Sequence, residues 1–356
     1  MTTLHSPSRR RALIALSLAL AAPLSHAAGG RGSASRRYGA APEFAGIETW
    51  LNSEPLSMAA LRGQVVMVDF WTFACINCVH VLPHVVQWHE KYKDRGLVVV
   101  GVHTPEFPFE KDEDNVRQAA SDMDVGYPIA LDPTYAVWGA FANRYWPAVY
   151  IADGEGRIRH HQFGEGGYEE CERVVQQLLH EAGADGIGDD LVSVVPEGLE
   201  AQADWADLES PETYLGYQQA QNFASPGEAD LDHPHTYAVP ESLRLNHWAL
   251  SGEWTLASGA AELNGTEGRI AFRFHARDVH LVLGPPARGT TVPFQVLVDG
   301  EPLGEAHGLD VDDQGRGTVT QQRLYQLVRQ PGPIVDRTFE ITFEAPGVEA
   351  YVFTFG

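Results

Sequence analysis

The chain has 356 residues, 44% of them hydrophobic and 21% charged, a composition that fits a folded globular protein of two or three domains. Its formal net charge of −23 argues against nucleic acid as a partner, because a phosphate backbone would be repelled. Three cysteines are too few for a disulfide scaffold, and the odd count leaves at least one thiol free or paired between chains.

The first segment, "SPSRRRALIALSLALAAPLSHAAGG", has the parts of an export signal over residues 1–27: an arginine cluster, an apolar run from Ala12 to Ala22, and the small-residue cleavage pattern Ser25-His26-Ala27. The stretch from Ser8 to Leu13, with its three arginines, also resembles a twin-arginine signal, so export runs by a Sec or a Tat route. The apolar run is short for a membrane span, and no other stretch reaches spanning length. Export places the cysteines in an oxidising compartment.

Residues 40–184 alternate strand and helix patterns. "QVVMVDFW" (64–71) is a continuous apolar run, as a strand buried on both faces should be. A helix is predicted from Ile76 to Lys93, a second buried strand over 96–104, and a helix over 110–123 with its acidic residues in the first turn. A short strand in "YPIALD" and a short helix in "TYAVWGAFA" follow. "PAVYIAD" and "GRIRHHQFG" then read as a strand pair joined across Gly154-Glu155-Gly156, and a last helix runs from Tyr168 to Glu181. This order predicts an α/β layer fold with helices on both faces.

Residues 185–242 are rich in Gly, Pro, Asp and Ser and read as linker and connecting segment, part of which must pack on a domain given its length. Residues 243–356 carry short alternating segments such as "GRIAFRFHA", "PFQVLVDG" and "TFEITFEA", with an Asp-Gly hairpin turn at Asp299-Gly300. That pattern predicts an all-β sandwich.

The chemistry concentrates in "WTFACINCVHVLP" (71–83), where Cys75 and Cys78 follow a buried strand at the start of a helix. A helix N-terminus carries unpaired N–H groups and positive potential, so the Cys75 thiolate is expected to be favoured and its pKa lowered. The spacing lets Cys75 attack a disulfide and the more shielded Cys78 resolve the mixed disulfide.

This segment resembles the thioredoxin family. Asp69 stands six residues before Cys75, Pro83 five after Cys78, and Pro147 in "YWPAVYIAD" opens a late strand. "WTFACINC", "GVHTPEFPFE" and "YWPAVYIAD" together are similar to the thioredoxin-like periplasmic part of DipZ-type cytochrome c biogenesis proteins, and "SPETYLGYQQAQNFASP" is similar to the connecting segment of that group. The resemblance implies a thioredoxin fold followed by a jelly-roll sandwich with a carbohydrate-binding-module-like shape. It implies a periplasmic protein-disulfide oxidoreductase needing no dissociable cofactor, with Cys75 as nucleophile and Cys78 as resolving thiol. Asp69 would exchange a proton with Cys78, Pro147 would follow a cis bond and present backbone to a peptide strand, and Glu106 would be an active-site acid. The partners implied are disulfide-containing exported proteins. Members of that group begin with a multi-span membrane electron-transfer domain; this chain begins with an export signal, so a separate membrane electron-transfer protein is the expected donor. Ile76-Asn77, between the cysteines, is neither the Gly-Pro of reducing thioredoxins nor the Pro-His of strongly oxidising members, so the redox poise is left open and the resemblance alone favours reduction.

Other readings of the pair are weaker. Haem attachment needs histidine directly after the second cysteine, where Val79 stands. Zinc would need Cys75, Cys78, His80 and His84 to converge, although both histidines ride a departing helix. A thiol peroxidase would match Thr72-x-x-Cys75 but has proline where Val68 stands. The sandwich could bind a glycan if Trp248 or Trp254 were exposed for stacking, which would suit an envelope-binding scaffold protein, but core or edge packing is the favoured role for both rings. Cys171 falls on the apolar side of its helix with Val174, Val175 and Leu178 and is expected to be a buried, inert thiol.

Overall fold

A computed structural model of the chain describes residues 39–356; the expected export signal lies outside the described residues. The first part contains strands β1 (Gly39–Ala40), β2 (Trp50–Leu51), β3 (Val65–Trp71), β4 (Leu97–His103), β5 (Ile129–Leu131), β6 (Ala148–Ala152) and β7 (Arg157–Phe163). Helices α1 (Ile76–Tyr92), α2 (Glu113–Asp122), α3 (Ala136–Ala140) and α4 (Tyr168–Glu181) lie between and after them. The strands form one mixed sheet in the order β1-β7-β6-β3-β4-β5-β2. β3 runs parallel to β4 and antiparallel to β6, so it sits at the centre.

The unbroken apolar run of β3 now has its reason. Val65, Met67 and Trp71 join one core, which also takes residues of α1, α2 and α4. Val66, Val68 and Phe70 join a second core on the opposite face, with Phe44, Met58, Leu61 and Val137 of α3. Successive strand residues point to opposite faces, so burial on both demands apolar residues throughout. Asp69 is the exception, fully buried on the α1 side. The β6–β7 turn is built as the local sequence suggests: Asp153 Oδ1 accepts from Glu155 N at 3.0 Å and Arg157 N at 2.9 Å, and Gly156 takes a φ of 68°.

α1 and α4 are bound together by a buried carboxylate. Glu172 accepts from Trp88 Nε1 at 3.1 Å, Tyr92 Oη at 2.7 Å and Lys91 Nζ at 2.9 Å. It also accepts from the backbone of Val192 at 2.9 Å, which ties down the start of the connecting segment. That segment, read from sequence largely as linker, also supplies strands to the second sheet.

The second sheet is antiparallel. Its ten strands among the described residues are β8 (Thr213–Tyr214), β9 (Pro234–Tyr237), β10 (Trp248–Leu256), β11 (Ala261–Phe274), β12 (Asp278–Gly284), β13 (Val292–Val298), β14 (Arg316–Val319), β15 (Arg323–Arg329), β16 (Arg337–Phe343) and β17 (Glu349–Phe355). The long β11 pairs with β16 through Gly268–Phe274 and with β17 through Ala261 and Glu262, so it carries the sheet around a corner. The two layers meet through aromatic rings: Phe272 and Phe339 lie 5.0 and 5.5 Å from Phe353. A β-sandwich is the result.

Trp248 and Trp254 are core residues rather than a sugar platform. Both are fully buried, and their indole nitrogens donate to Gln221 O at 2.8 Å and Ser251 O at 2.9 Å. Neither ring is available to stack on a sugar. The all-round apolar packing of a sandwich core consumes large rings of this kind.

No helix among the described residues is long and apolar enough to cross a membrane.

Candidate active site

The α1 N-terminus sits at the end of the central strand β3, reached through Thr72, Phe73 and Ala74, all buried. Cys75 is the N-cap residue of α1, and its Sγ accepts from the Cys78 backbone N–H at 3.3 Å. Cys75 is half-buried and Cys78 buried, which matches the expected division between an accessible and a shielded thiol. Both thiols are free, as is Cys171. Pro83 lies inside α1 and withdraws one backbone N–H from the helix.

The acidity of Cys75 differs from the expectation. The hydrogen bond from Cys78 lowers its pKa, but burial and the charges of Glu106 and Glu212 outweigh that, and the thiol ends above its ordinary value. The helix end favours the thiolate as anticipated; carboxylates brought from elsewhere oppose it. Cys78 is held well above its ordinary value, by burial first, then by Cys75, with Asp69 adding to the effect.

Asp69 lies on the α1 side of β3 and is fully buried. Tyr127 donates its hydroxyl to Oδ2 at 3.5 Å, while Oδ1 has no hydrogen-bond partner. Burial pushes its pKa up to about 7, against the lowering effect of the Tyr127 bond. A carboxyl of that kind changes protonation state near neutral pH, as a proton acceptor for a neighbouring thiol must. Gly101 on β4 makes room for this arrangement. A Cβ there would meet Trp71 Nε1 and Tyr127 Cε2, each at 2.9 Å.

Pro147 precedes β6, and the Trp146–Pro147 peptide bond is cis. Ala148 pairs with Phe70 near the end of β3, and Trp146 Nε1 donates to Thr104 O at 3.0 Å. The start of β6 is therefore brought to the same end of the sheet as the cysteines.

Glu106 follows β4 and is half-buried. It receives the hydroxyl of Tyr214, which also donates to Glu212 Oε2 at 3.3 Å. Burial, then Glu212 and Glu110, raise its pKa. Glu110, absent from the sequence expectations, is buried and shapes the loop. Its Oε1 accepts from Ala74 N at 3.1 Å, and its Oε2 from Glu106 N at 2.7 Å and Phe107 N at 2.9 Å. It thus holds the approach to Cys75 against the 104–110 loop. Tyr127, Glu212 and Tyr214 were also missed. The one signal was the stretch "SPETYLGYQQAQNFASP", which contains Glu212 and Tyr214 but says nothing of where it docks.

His80, buried, and His84, half-buried, are each occupied by other partners. His80 Nδ1 lies 2.6 Å from Glu165 Oε2, and the His84 ring stacks on Tyr168 at 3.7 Å. No group of three or more His, Cys, Asp or Glu among the described residues is arranged to hold a metal. Cys171 is buried with its sulfur 3.6 Å from His160 Nε2, and burial pushes its pKa up to about 12.

Residues 39–161 match the model of the AhpC/TSA family, and residues 210–356 match that of the thioredoxin-like C-terminal domain. Protein DipZ of Mycobacterium bovis is 41% identical over 267 residues, covering 74% of this chain and 37% of that protein. The chain thus spans well under half the length of that relative. Thiol-disulfide oxidoreductase YkuV of Bacillus subtilis is 34% identical over 140 residues, covering 39% of this chain and 94% of that protein. Among solved structures, a thioredoxin-like protein in its oxidised form is 34% identical with a TM-score of 0.38, covering 40% of this chain and 96% of that one.

Proposed function

We propose that this chain, which belongs to the thioredoxin-like family of thiol–disulfide oxidoreductases, is an exported enzyme that reduces disulfides of cell-envelope proteins through Cys75 and Cys78. The observation that carries this reading is the geometry of the pair: a half-buried Cys75 at the helix cap, a buried Cys78 whose backbone N–H donates to the Cys75 sulfur at 3.3 Å, and a buried carboxyl, Asp69, with one oxygen unpartnered.

The reaction runs in two exchanges. The Cys75 thiolate attacks one sulfur of the substrate disulfide; a Cys75–substrate bond forms, the substrate S–S bond breaks, and the other substrate sulfur leaves as a thiolate. Cys78 then gives its proton to Asp69 and attacks Cys75 Sγ. The intramolecular disulfide forms and the second substrate sulfur departs with the electron pair. The substrate gains two electrons and departs as two thiolates, which take protons from solvent; the enzyme loses the same two electrons, its Cys75 proton having gone to solvent and its Cys78 proton to Asp69, which passes it on to solvent. Glu106 is the active-site acid beside Cys75, and the backbone at Pro147 lines the path of the substrate strand.

The periplasm is the compartment we assign, by way of the arginine-led N-terminal segment. A membrane electron-transfer protein would return the oxidised pair to the dithiol. A glycan at the sandwich stays without support once Trp248 and Trp254 are found in its core.

The test is trapping. A Cys78→Ser variant expressed in its native envelope should accumulate mixed disulfides on Cys75, and a Cys75→Ser variant none. Absence of trapped partners together with no reduction of a model disulfide such as insulin would remove the reading. Peroxide consumption without any disulfide substrate would instead favour a thiol peroxidase, which the AhpC/TSA match keeps in view despite Val68 in place of proline.

A further inference from the structure

Strand β8 belongs to the second sheet, yet its Tyr214 side chain reaches Glu106 beside the cysteine site. Tyr214 pairs with Val352 of β17, and Leu215 N donates to Tyr351 O at 2.8 Å, so the segment is anchored in the sandwich. From there the Tyr214 hydroxyl crosses to Glu106, 108 residues earlier in the chain. The contact is braced on both sides. Tyr351 packs 5.2 Å from Phe107 and 5.1 Å from Phe109, on the loop that carries Glu106 and Glu110. Arg288 donates to Asp112 at 3.0 Å, Asp114 at 3.2 Å and Asn115 at 2.9 Å at the start of α2. One hydrophobic cluster runs from α1 and β3 into Val282, Leu324, Tyr351 and Val352. The sandwich is therefore packed against the loop that faces Cys75.

We propose that Glu212 and Tyr214 are positioning residues of the Cys75 site: Tyr214, also bonded to Glu212, holds Glu106, and the three together set how readily the Cys75 sulfur gives up its proton. The sandwich is then a working part of the thiol centre. The proposal rests on the reading of Cys75 as the attacking thiol. Its chemistry is simple electrostatics. A carboxylate near a thiol disfavours the thiolate, and two carboxyls bridged by one hydroxyl influence each other's ionisation. Glu212 is exposed and Glu106 half-buried, so the cluster lies at the mouth of the site, where protons exchange with solvent. The titratable groups facing Cys75 and Glu106 are Cys78 on α1, Glu110 on the 104–110 loop, Glu212 and Tyr214 on the connecting segment, and Tyr135, whose hydroxyl donates to Pro105 O.

The test uses the full chain carrying Cys78→Ser, with Cys75 alkylation followed against pH; Cys171, buried beside His160, does not compete. Adding Glu212→Gln removes a charge that disfavours the thiolate, and the midpoint of alkylation should fall by about half a pH unit, the size expected for an exposed charge. Glu209→Gln, an exposed carboxylate on the same segment, should leave it unchanged. A second readout is the carboxyl signal of Glu106 in the protein labelled with carbon-13 glutamate, assigned by its loss in Glu106→Gln. Its midpoint should rise in Tyr214→Phe, which loses a bond that favours the carboxylate, and fall in Glu212→Gln, which loses a like charge. Opposite shifts of one group by two neighbours are not produced by general loosening of the fold. Unchanged midpoints in both variants, in protein that still exchanges disulfides through Cys75, would overturn the inference alone. Protein whose Cys75 exchanges with no disulfide at any pH would remove it together with the reading it rests on.

Discussion

Replacing Asp69 with asparagine should make the protein more stable at neutral pH and a poorer enzyme. The carboxyl is fully buried, with one oxygen lacking any partner, and its pKa stands at about 7 against 3.8 for the ordinary group. The folded state therefore keeps a proton that the unfolded state releases. Stability from this group is fully present below pH 3.8, declines as pH rises, and is gone above about 7. The gap corresponds to about 4 kcal/mol lost across that window. Asparagine stays neutral throughout, but its amide must find an acceptor in the same pocket, at a cost of about 1–3 kcal/mol. A net gain of about 1–3 kcal/mol at pH 8 is expected, and a loss of about 1–3 kcal/mol at pH 4. Urea unfolding of both reduced proteins between pH 4 and 8 gives the difference directly, because every other titrating group is common to the two and cancels. The resolving step, followed as loss of the mixed disulfide, should slow by about 100-fold, the low end of general acid–base effects. A stability difference that does not change with pH would refute the reasoning, since it would mean that Asp69 is ionised in the folded state across the whole range.

Two further outcomes follow from the same packing. Gly101→Ala should destabilise the fold by about 1–3 kcal/mol in urea unfolding, because its Cβ would meet Trp71 and Tyr127 at 2.9 Å, and should slow exchange by displacing the Tyr127 hydroxyl from Asp69. Cys171 should resist alkylation in the native protein at pH 8 while Cys75 reacts, and become labelled only on unfolding, as peptide mass spectrometry would show.

The local patterns were legible because they are enforced locally. The apolar run of β3 reports burial on two faces, and the span from Tyr168 to Glu181 agrees with α4 at both ends. The position of Cys75 at the helix cap follows from strand, short loop and helix in succession. What sequence reading got wrong or missed depends on distant segments. For Trp248 and Trp254 the pattern admitted both a core and a ligand-facing role, because whether an aromatic on a strand faces the core depends on which layer covers it. The connecting stretch looked like linker because Gly, Pro and Asp are turn formers, yet Thr213 and Tyr214 gain their strand bonds from β17, at the other end of the domain.

By itself the sequence determined the cysteine pair and its helix cap, since both are a matter of residue type at a fixed spacing within one strand–loop–helix unit, and its family resemblance picked out Asp69 and, much further along the chain, Pro147. Only the tertiary structure decided the charge around Cys75. Local chemistry predicts an acidic thiol from the helix N-terminus, but burial and the carboxyls of Glu106 and Glu212 reverse the balance. Coulombic influence depends on distance in space, and the fold alone brings residues 106 and 212 to the same sulfur.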